Sequence, residues 1–287
     1  MLKVKNIEVY NFEQALRGMR HPLESYDTSD SKFGKHALNE QYIKDLDAVA
    51  ESYRYWQVKF NNFSTPNYAI LDALEDNNKL YDTNEQCHDY VFIGSCDLAL
   101  AQRLISGGSE HRKFMRQILV SMEITAPLYW WKEFDTYKVG TTANSTSTMH
   151  TLHKSEMNFN NFSFDTICPE GEDKQMWVCD LVTIMVICEK YRKLYMETGD
   201  KAYWRRLIQI LPEGFNQTRT VTLNYENLLN IVKQRKGHKL TEWHQLIDVI
   251  KTLPYANDLI FFEKGENNDY GFIQQTREYN AERATDE

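Results

Sequence analysis

One stretch constrains this chain more than any other. Between positions 173 and 197, Trp177, Leu181, Ile184, Cys188, Tyr191 and Tyr195 recur at three- and four-residue steps, and Val178, Val182, Met185 and Ile187 widen the same face. The spacing is that of an α-helix, and a helix that is apolar almost all round belongs at the centre of a core. Such a helix needs other elements to cover it. A chain of 287 residues is long enough to supply them and to bury most of its apolar surface. Cys179 and Cys188 on this helix read as inert core thiols, since apolar burial disfavours the thiolate.

The rest of the chain alternates short strands with helices. Lys3–Tyr10 alternates apolar and polar residues and reads as a strand, and residues 12–19 read as a short helix. A polar loop over 21–40 leads to a helix over 39–55, carried by Tyr42, Ile43, Leu46 and Val49, and to a strand or short helix at 69–74. Residues 97–105 predict a helix stopped at Gly107-Gly108, and 118–124 is the clearest strand of the first half. Thr125 as cap and Pro127 in the first turn predict a helix over 127–138. The small polar run GTTANSTSTMH after it predicts a tight loop. A helix over 223–236 stops at Gly237, and Thr241 caps another over 242–253. The polar, net acidic residues 263–287 predict a loosely ordered tail. No repeat or linker divides the chain, so the expectation is one α/β (α+β) domain over 1–262. Its mixed or antiparallel sheet would pack against long helices.

Charge and motifs narrow the function. With 41 acidic against 33 basic residues the net charge is -8, and no basic run occurs. Proteins that coat nucleic acid draw much of their affinity from clustered cations, so that class is excluded, whereas a small anion needs only a local positive site. Five cysteines, an odd number without a CxxC, predict free thiols in a reducing cytoplasm, and neither a signal peptide nor a membrane-length apolar run is found. His150 and His153 stand alone without the further ligands that zinc requires, so no metal is expected. The absence of GxSxG, HExxH, P-loop and GxGxxG patterns leaves serine hydrolases, zincins, P-loop NTPases and Rossmann dehydrogenases without support.

Two segments carry more specific information. The first runs from Ala126-Pro127 through the aromatic stretch Tyr129, Trp130, Trp131, Phe134 and Tyr137 to Asn144 and Ser147. The second is LPEGFNQTRTVTLNYENLLNIVKQR, from Leu211 to Arg235. The first resembles the helix of the flavin-dependent thymidylate synthases that ends in RHRxxSxNxxS. The second resembles that family's LP…NxRSLLxFLxxR, with Asn224, Leu228, Leu229, Asn230 and Arg235 in register. Together they span roughly a sixth of the chain, and the second match is ungapped. The likeness is to the divergent members common in phages and prophages.

The resemblance implies a homotetramer with sites between subunits that bind FAD and dUMP or a related pyrimidine nucleotide. It implies transfer of one carbon from methylenetetrahydrofolate to the uracil base, with NADPH supplying the electrons. By that carry-over Ser147 is the catalytic serine near the uracil. Lys138, Thr141, Asn144, Ser147 and Arg235 bind the nucleotide, and Asn224 and Asn230 bind the flavin. Plainer readings stand beside these: a loop serine in a local turn, helix-end cations that favour the dipole, and a solvated amide face. The aromatic stretch reads either as a stacking platform or as core.

The chain also departs from the pattern. Thr136-Tyr137-Lys138 by the register of Ala126-Pro127, or Tyr137-Lys138-Val139 by that of Asn144 and Ser147, stands where the family has Arg-His-Arg; Met149 replaces one expected arginine, and Glu226 replaces the arginine expected two places after Asn224. Lysine does not reproduce the bidentate fork of arginine, and a carboxylate repels phosphate. These losses keep open a second reading, a nucleotide-binding or sequestering protein of the same fold without turnover, or an interaction protein that keeps the tetramer and has lost the site.

Overall fold

The computed structural model of the chain describes residues 2–34, 90–164 and 174–263. The helix expected over 39–55, the element at 69–74 and the tail beyond 263 lie outside the described residues, as do Cys87 and Cys168. The fold is α+β, and the chain divides into two compact units. The first comprises Met1–Glu8, Val120–Leu223 and Lys233–Val249, and the second Val9–Leu119, Asn224–Val232 and Ile250–Glu287.

The first unit is built on a sheet. Strand β1 is Lys3–Tyr10, β4 is Leu119–Pro127, β5 is Thr142–Ser145 and β6 is Asn216–Asn224, in the order β1-β4-β6-β5. The alternation read in the sequence is realised in β4: Val120, Met122, Ile124 and Ala126 are buried while the residues between them are not. Helix α3, Leu128–Phe134, follows directly and is shorter than expected. Thr125 does not cap it. It remains in the strand, where its hydroxyl meets that of Thr218 on β6 at 2.7 Å. The helix instead borrows backbone carbonyls: Leu128 N–H donates to Phe215 O (3.0 Å) and Tyr129 N–H to Glu213 O (3.1 Å). First-turn N–H groups without an intrahelical partner are satisfied this way.

The run expected as a loop after α3 is also corrected. Thr142–Ser145 forms β5, antiparallel to β6, with Thr142 opposite Thr222 and Ser145 opposite Arg219. A short helix, α4 (Thr148–Thr151), follows. Gly140, at φ 71°, makes the turn into β5 in the left-handed region that glycine enters without penalty.

The long helix, α5, spans Lys174–Thr198 and packs on α6, Lys201–Ile210. Gly199 (φ 69°) ends α5, and the Asp200 side chain caps α6 by accepting from Ala202 N–H at 2.8 Å. Leu152, Met157, Phe162, Cys188 and Leu207 form a buried cluster between these helices and the chain around them. Among the described residues only that side of α5 is covered, so its expected place at the centre of the core is not found. Cys188 is buried as read, but Cys179 is exposed, as are Ile184, Val186 and Ile187.

The second unit gathers α1 (Phe12–Arg20), the antiparallel pair of β2 (Lys32–Gly34) and β3 (Tyr90–Phe92), α2 (Ser95–Ser106), the greater part of α7 (Tyr225–Arg235) and α9 (Ala256–Leu259). Phe12, Leu16, Leu98, Tyr225, Leu228 and Leu229 are buried in it. One buried ion pair, Arg20 Nε to Asp97 at 2.5 Å, ties α1 to α2. Asp97 also accepts from the Ser29 hydroxyl (2.8 Å), so its charge is compensated on both oxygens. Asp30 reaches the first turn of α2, accepting from Cys96 N–H (2.8 Å) and Asp97 N–H (3.1 Å). Burial, with Asp30 beside it, pushes the Cys96 thiol up to about 11. The remaining helix, α8, is Thr241–Lys251 and starts at the residue expected to cap it.

Candidate functional site

The two segments singled out in the sequence meet in the first unit. Arg235, the last residue of α7, donates from Nε to the Tyr137 hydroxyl (2.9 Å) and from Nη1 to Glu133 Oε2 (2.8 Å). Its guanidinium lies 4.5 Å from the centre of the Trp243 ring and 5.5 Å from that of Tyr137. Stacking on aromatic faces and a charge-assisted bond hold the fork in one plane. Nη2 has no hydrogen-bond partner among the described residues. The sequence offers Arg235 as a nucleotide contact or a helix-end cation. It is partly buried and engaged.

Glu133 is the hub of this corner. Besides Arg235 it accepts from Trp243 Nε1 (3.0 Å) and faces His238 Nε2 at 3.2 Å. His238 Nδ1 accepts from Leu240 N–H (3.1 Å), so Nε2 is the nitrogen that carries a proton toward Glu133. The aromatic stretch resolves as core rather than platform. Trp130, Trp131 and Phe134 are buried, and Trp130 and Phe134 both pack on Trp243. Tyr129 and Tyr137 are half-buried; the Tyr137 hydroxyl also donates to Gln234 Oε1.

Arg219, which sequence reasoning passed over, extends the corner along the sheet. It donates from Nη1 to Asp135 (2.7 Å) and from Nε to Gln217 Oε1 (3.0 Å), and lies 4.3 Å over the Trp131 ring. It was visible in one respect: it is the lone arginine of the second segment before Arg235. Because Ser145 stands opposite Arg219, the far end of β5 lies beside the turn that follows α3.

The remaining expected residues are distributed as follows. Lys138 is exposed just beyond α3. Thr141 is half-buried, and its hydroxyl is shielded, with no hydrogen-bond partner among the described residues. Asn144 is exposed on β5, opposite Thr220. Ser147 precedes α4, where its carbonyl accepts from His150 and Thr151 N–H groups while its hydroxyl makes no cap bond.

Asn224 and Asn230 belong to the second unit. Asn224 is buried, and its side-chain oxygen accepts from Asn227 N–H (2.9 Å) while Asn224 N–H donates to Asn227 Oδ1 (3.3 Å). Asn230 is half-buried on α7. Glu226, in the first turn of α7, does not stand as a bare acid. Arg112 Nε donates to its Oε1 at 2.9 Å and Arg116 Nε to its Oε2. Burial pushes the Glu226 carboxyl up, but the bonds from Arg116 and Arg112 outweigh it and hold the group below its ordinary range.

The fold and corner thus define a class: an α+β protein with a guanidinium held in an aromatic and carboxylate cradle. No protein-family model matches the chain, and no curated protein matches it. Among solved structures, the chain is similar to the flavin-dependent thymidylate synthase ThyX from Helicobacter pylori complexed with FAD and dUMP. The identity is 16% and the TM-score 0.44, over 66% of this chain and 89% of that one. A second structure of that enzyme with FAD and dUMP gives the same identity and TM-score over 67% and 89%. No described helix is long and apolar enough to cross a membrane.

Proposed function

We propose that this chain binds a pyrimidine nucleoside monophosphate, dUMP or a close relative, and acts on it as a flavin-dependent thymidylate synthase does. The observation that carries the reading is the meeting of Arg235 with Tyr137 and Glu133. Two segments about a hundred positions apart resemble one family's site-forming segments, and they are in contact. Arg235 would take the phosphate through Nη2, the nitrogen its cradle leaves open, with Lys138 as a second, point-charge contact. Asn144, Ser147 and the shielded hydroxyl of Thr141 would supply polar contacts from the sheet edge. Ser147 would sit near the base.

The flavin part of the reading rests on α7. Two arginines surround Glu226, so the donor set there fits an anionic cofactor better than the sequence implied. Bound, a reduced flavin supplies the electrons for one-carbon transfer from methylenetetrahydrofolate, with NADPH as its reductant. The chain's own residues hold the nucleotide phosphate and position the base. Assembly into a homotetramer is part of the proposal. The exposed apolar residues of α5 give a second copy something to cover.

Calorimetric titration of dUMP, dTMP and dCMP into the full chain tests the reading. Saturable binding of one pyrimidine monophosphate is expected, with Arg235→Ala weaker by roughly tenfold or more, since a charge-assisted hydrogen bond contributes about 1.5–3 kcal/mol. A folded protein that binds none of the three contradicts it. Binding without conversion of dUMP in the presence of flavin, folate donor and reductant supports the sequestering reading instead.

A further inference from the structure

His238 stands in the turn between α7 and α8 with both ring nitrogens engaged. On one side Nδ1 accepts from Leu240 N–H at 3.1 Å. On the other, Nε2 lies 3.2 Å from Glu133 Oε2, which also accepts from Arg235 Nη1 (2.8 Å) and Trp243 Nε1 (3.0 Å). The backbone is tied into the same corner: His238 N–H donates to Arg235 O (3.0 Å), and Trp243 N–H to Leu240 O (3.2 Å). The His238 ring meets the Trp243 ring edge-on, and the Arg235 guanidinium lies over that same Trp243 ring. The charged groups around the imidazole are Glu133 from α3 and Arg235 from α7, with the Tyr137 phenol bonded to Arg235. Lys236 and Lys239, beside it in the chain, are exposed.

The neutral ring satisfies both contacts at once, since one nitrogen accepts while the other donates. The corner then holds one carboxylate and one guanidinium and has no net charge. A further proton can go only to Nδ1, because Nε2 already carries one. It turns the acceptor for Leu240 into a donor, so two N–H groups face each other and that bond is lost. It also places a second cation on the carboxylate oxygen that holds Arg235, and the two cations repel. Imidazole is the side chain that changes charge between about pH 5 and pH 8. With 25% of its side chain exposed, His238 can exchange that proton with solvent.

We propose that His238 is a pH-operated latch on the Arg235 corner. Neutral, it closes the turn into α8 and fixes Glu133 against Arg235. Protonated, it gives up Leu240, takes a larger share of Glu133 and loosens Arg235. The latch is a property of the chain itself and needs no ligand.

Nuclear magnetic resonance on the full chain, isotope-labelled at histidine, leucine and arginine, tests it between about pH 8 and pH 5. At the upper end His238 should show a protonated Nε2 and a bare Nδ1. As pH falls, the Leu240 amide and the Arg235 Nε–H signals should shift with the midpoint of the His238 ring itself. In Glu133→Gln the Leu240 amide should still follow the ring, while the Arg235 signal no longer does. In His238→Gln, which cannot take a charge, both shifts should vanish. A ring that keeps one protonation state through the whole range overturns the proposal. So does a wild-type Leu240 or Arg235 signal that ignores the ring. Undiminished shifts in His238→Gln overturn it too, because they trace to another titrating group. The wild-type titration decides alone if a variant does not fold.

Discussion

At the scale of single residues, charges decide what the chain can hold. Glu133 takes donors from Arg235 and Trp243 and faces His238, so removing any one disturbs the rest. Arg235→Ala should therefore cost stability as well as nucleotide affinity. Both partners are partly solvated, which limits the loss to about 1 kcal/mol, readable as a lowered denaturant midpoint at unchanged slope. Glu226 gives a pH signature. Its folded pKa is depressed, so its contribution to stability is fully present above the unfolded carboxylate value, about 4.3, and disappears as pH falls through the lower folded value. Glu226→Gln should flatten the acid limb of stability as pH falls below the ordinary carboxylate value of about 4.3, while leaving that limb's shape above about pH 6 unchanged. An acid limb identical to wild type would show that the arginines do not hold the carboxylate. None of this was legible in the sequence. Arg112 and Arg116 lie more than a hundred positions from Glu226, and nothing local marks them as its partners. Position 226 read as a repelling acid, because a linear reading sees the charge and not its neighbours.

At the scale of elements, legibility follows how local the cause is. β1, β4 and α1 announce themselves through their own periodicity, and each forms where it was read. β5 did not, because Thr-Ala-Asn-Ser carries no apolar alternation. It is a strand because β6 offers a partner edge, a tertiary cause. The cap of α3 was misassigned for a related reason. Thr125 and Pro127 form a good cap sequence, but sheet pairing holds the chain extended until Pro127, which has no N–H to offer the ladder. α5 was found at nearly its full length, yet its setting was misjudged. Periodicity reports that a face is apolar, not what covers it. Cys179, Thr183 and Val186, with Ile187 beside them, form a stripe open to solvent in the single chain. If a second copy covers that stripe, Val186→Asp or Ile187→Asp should release smaller particles in sedimentation while the chain stays folded. The loss corresponds to about 1.5–3 kcal/mol of apolar burial per side chain, plus a buried charge. Unchanged particle size in both variants would remove α5 from the interface.

At the scale of the whole molecule, the two units share the work proposed for them. The first holds the Arg235 corner and the sheet edge, and the second holds Glu226 with its arginines and the buried Asn224. The aromatic composition, which suggested stacking surfaces, mostly supplies core: Trp130, Trp131 and Trp243 are all buried. The nucleotide reading therefore rests on one corner where an arginine, a tyrosine and a carboxylate from two distant segments converge. The most direct measurement is a crystal structure of the full chain grown with dUMP. The account predicts the phosphate within hydrogen-bond distance of Arg235 Nη2, Lys138 near it, and the uracil toward Ser147. A dUMP bound elsewhere, with Arg235 still confined to Tyr137 and Glu133, would contradict it.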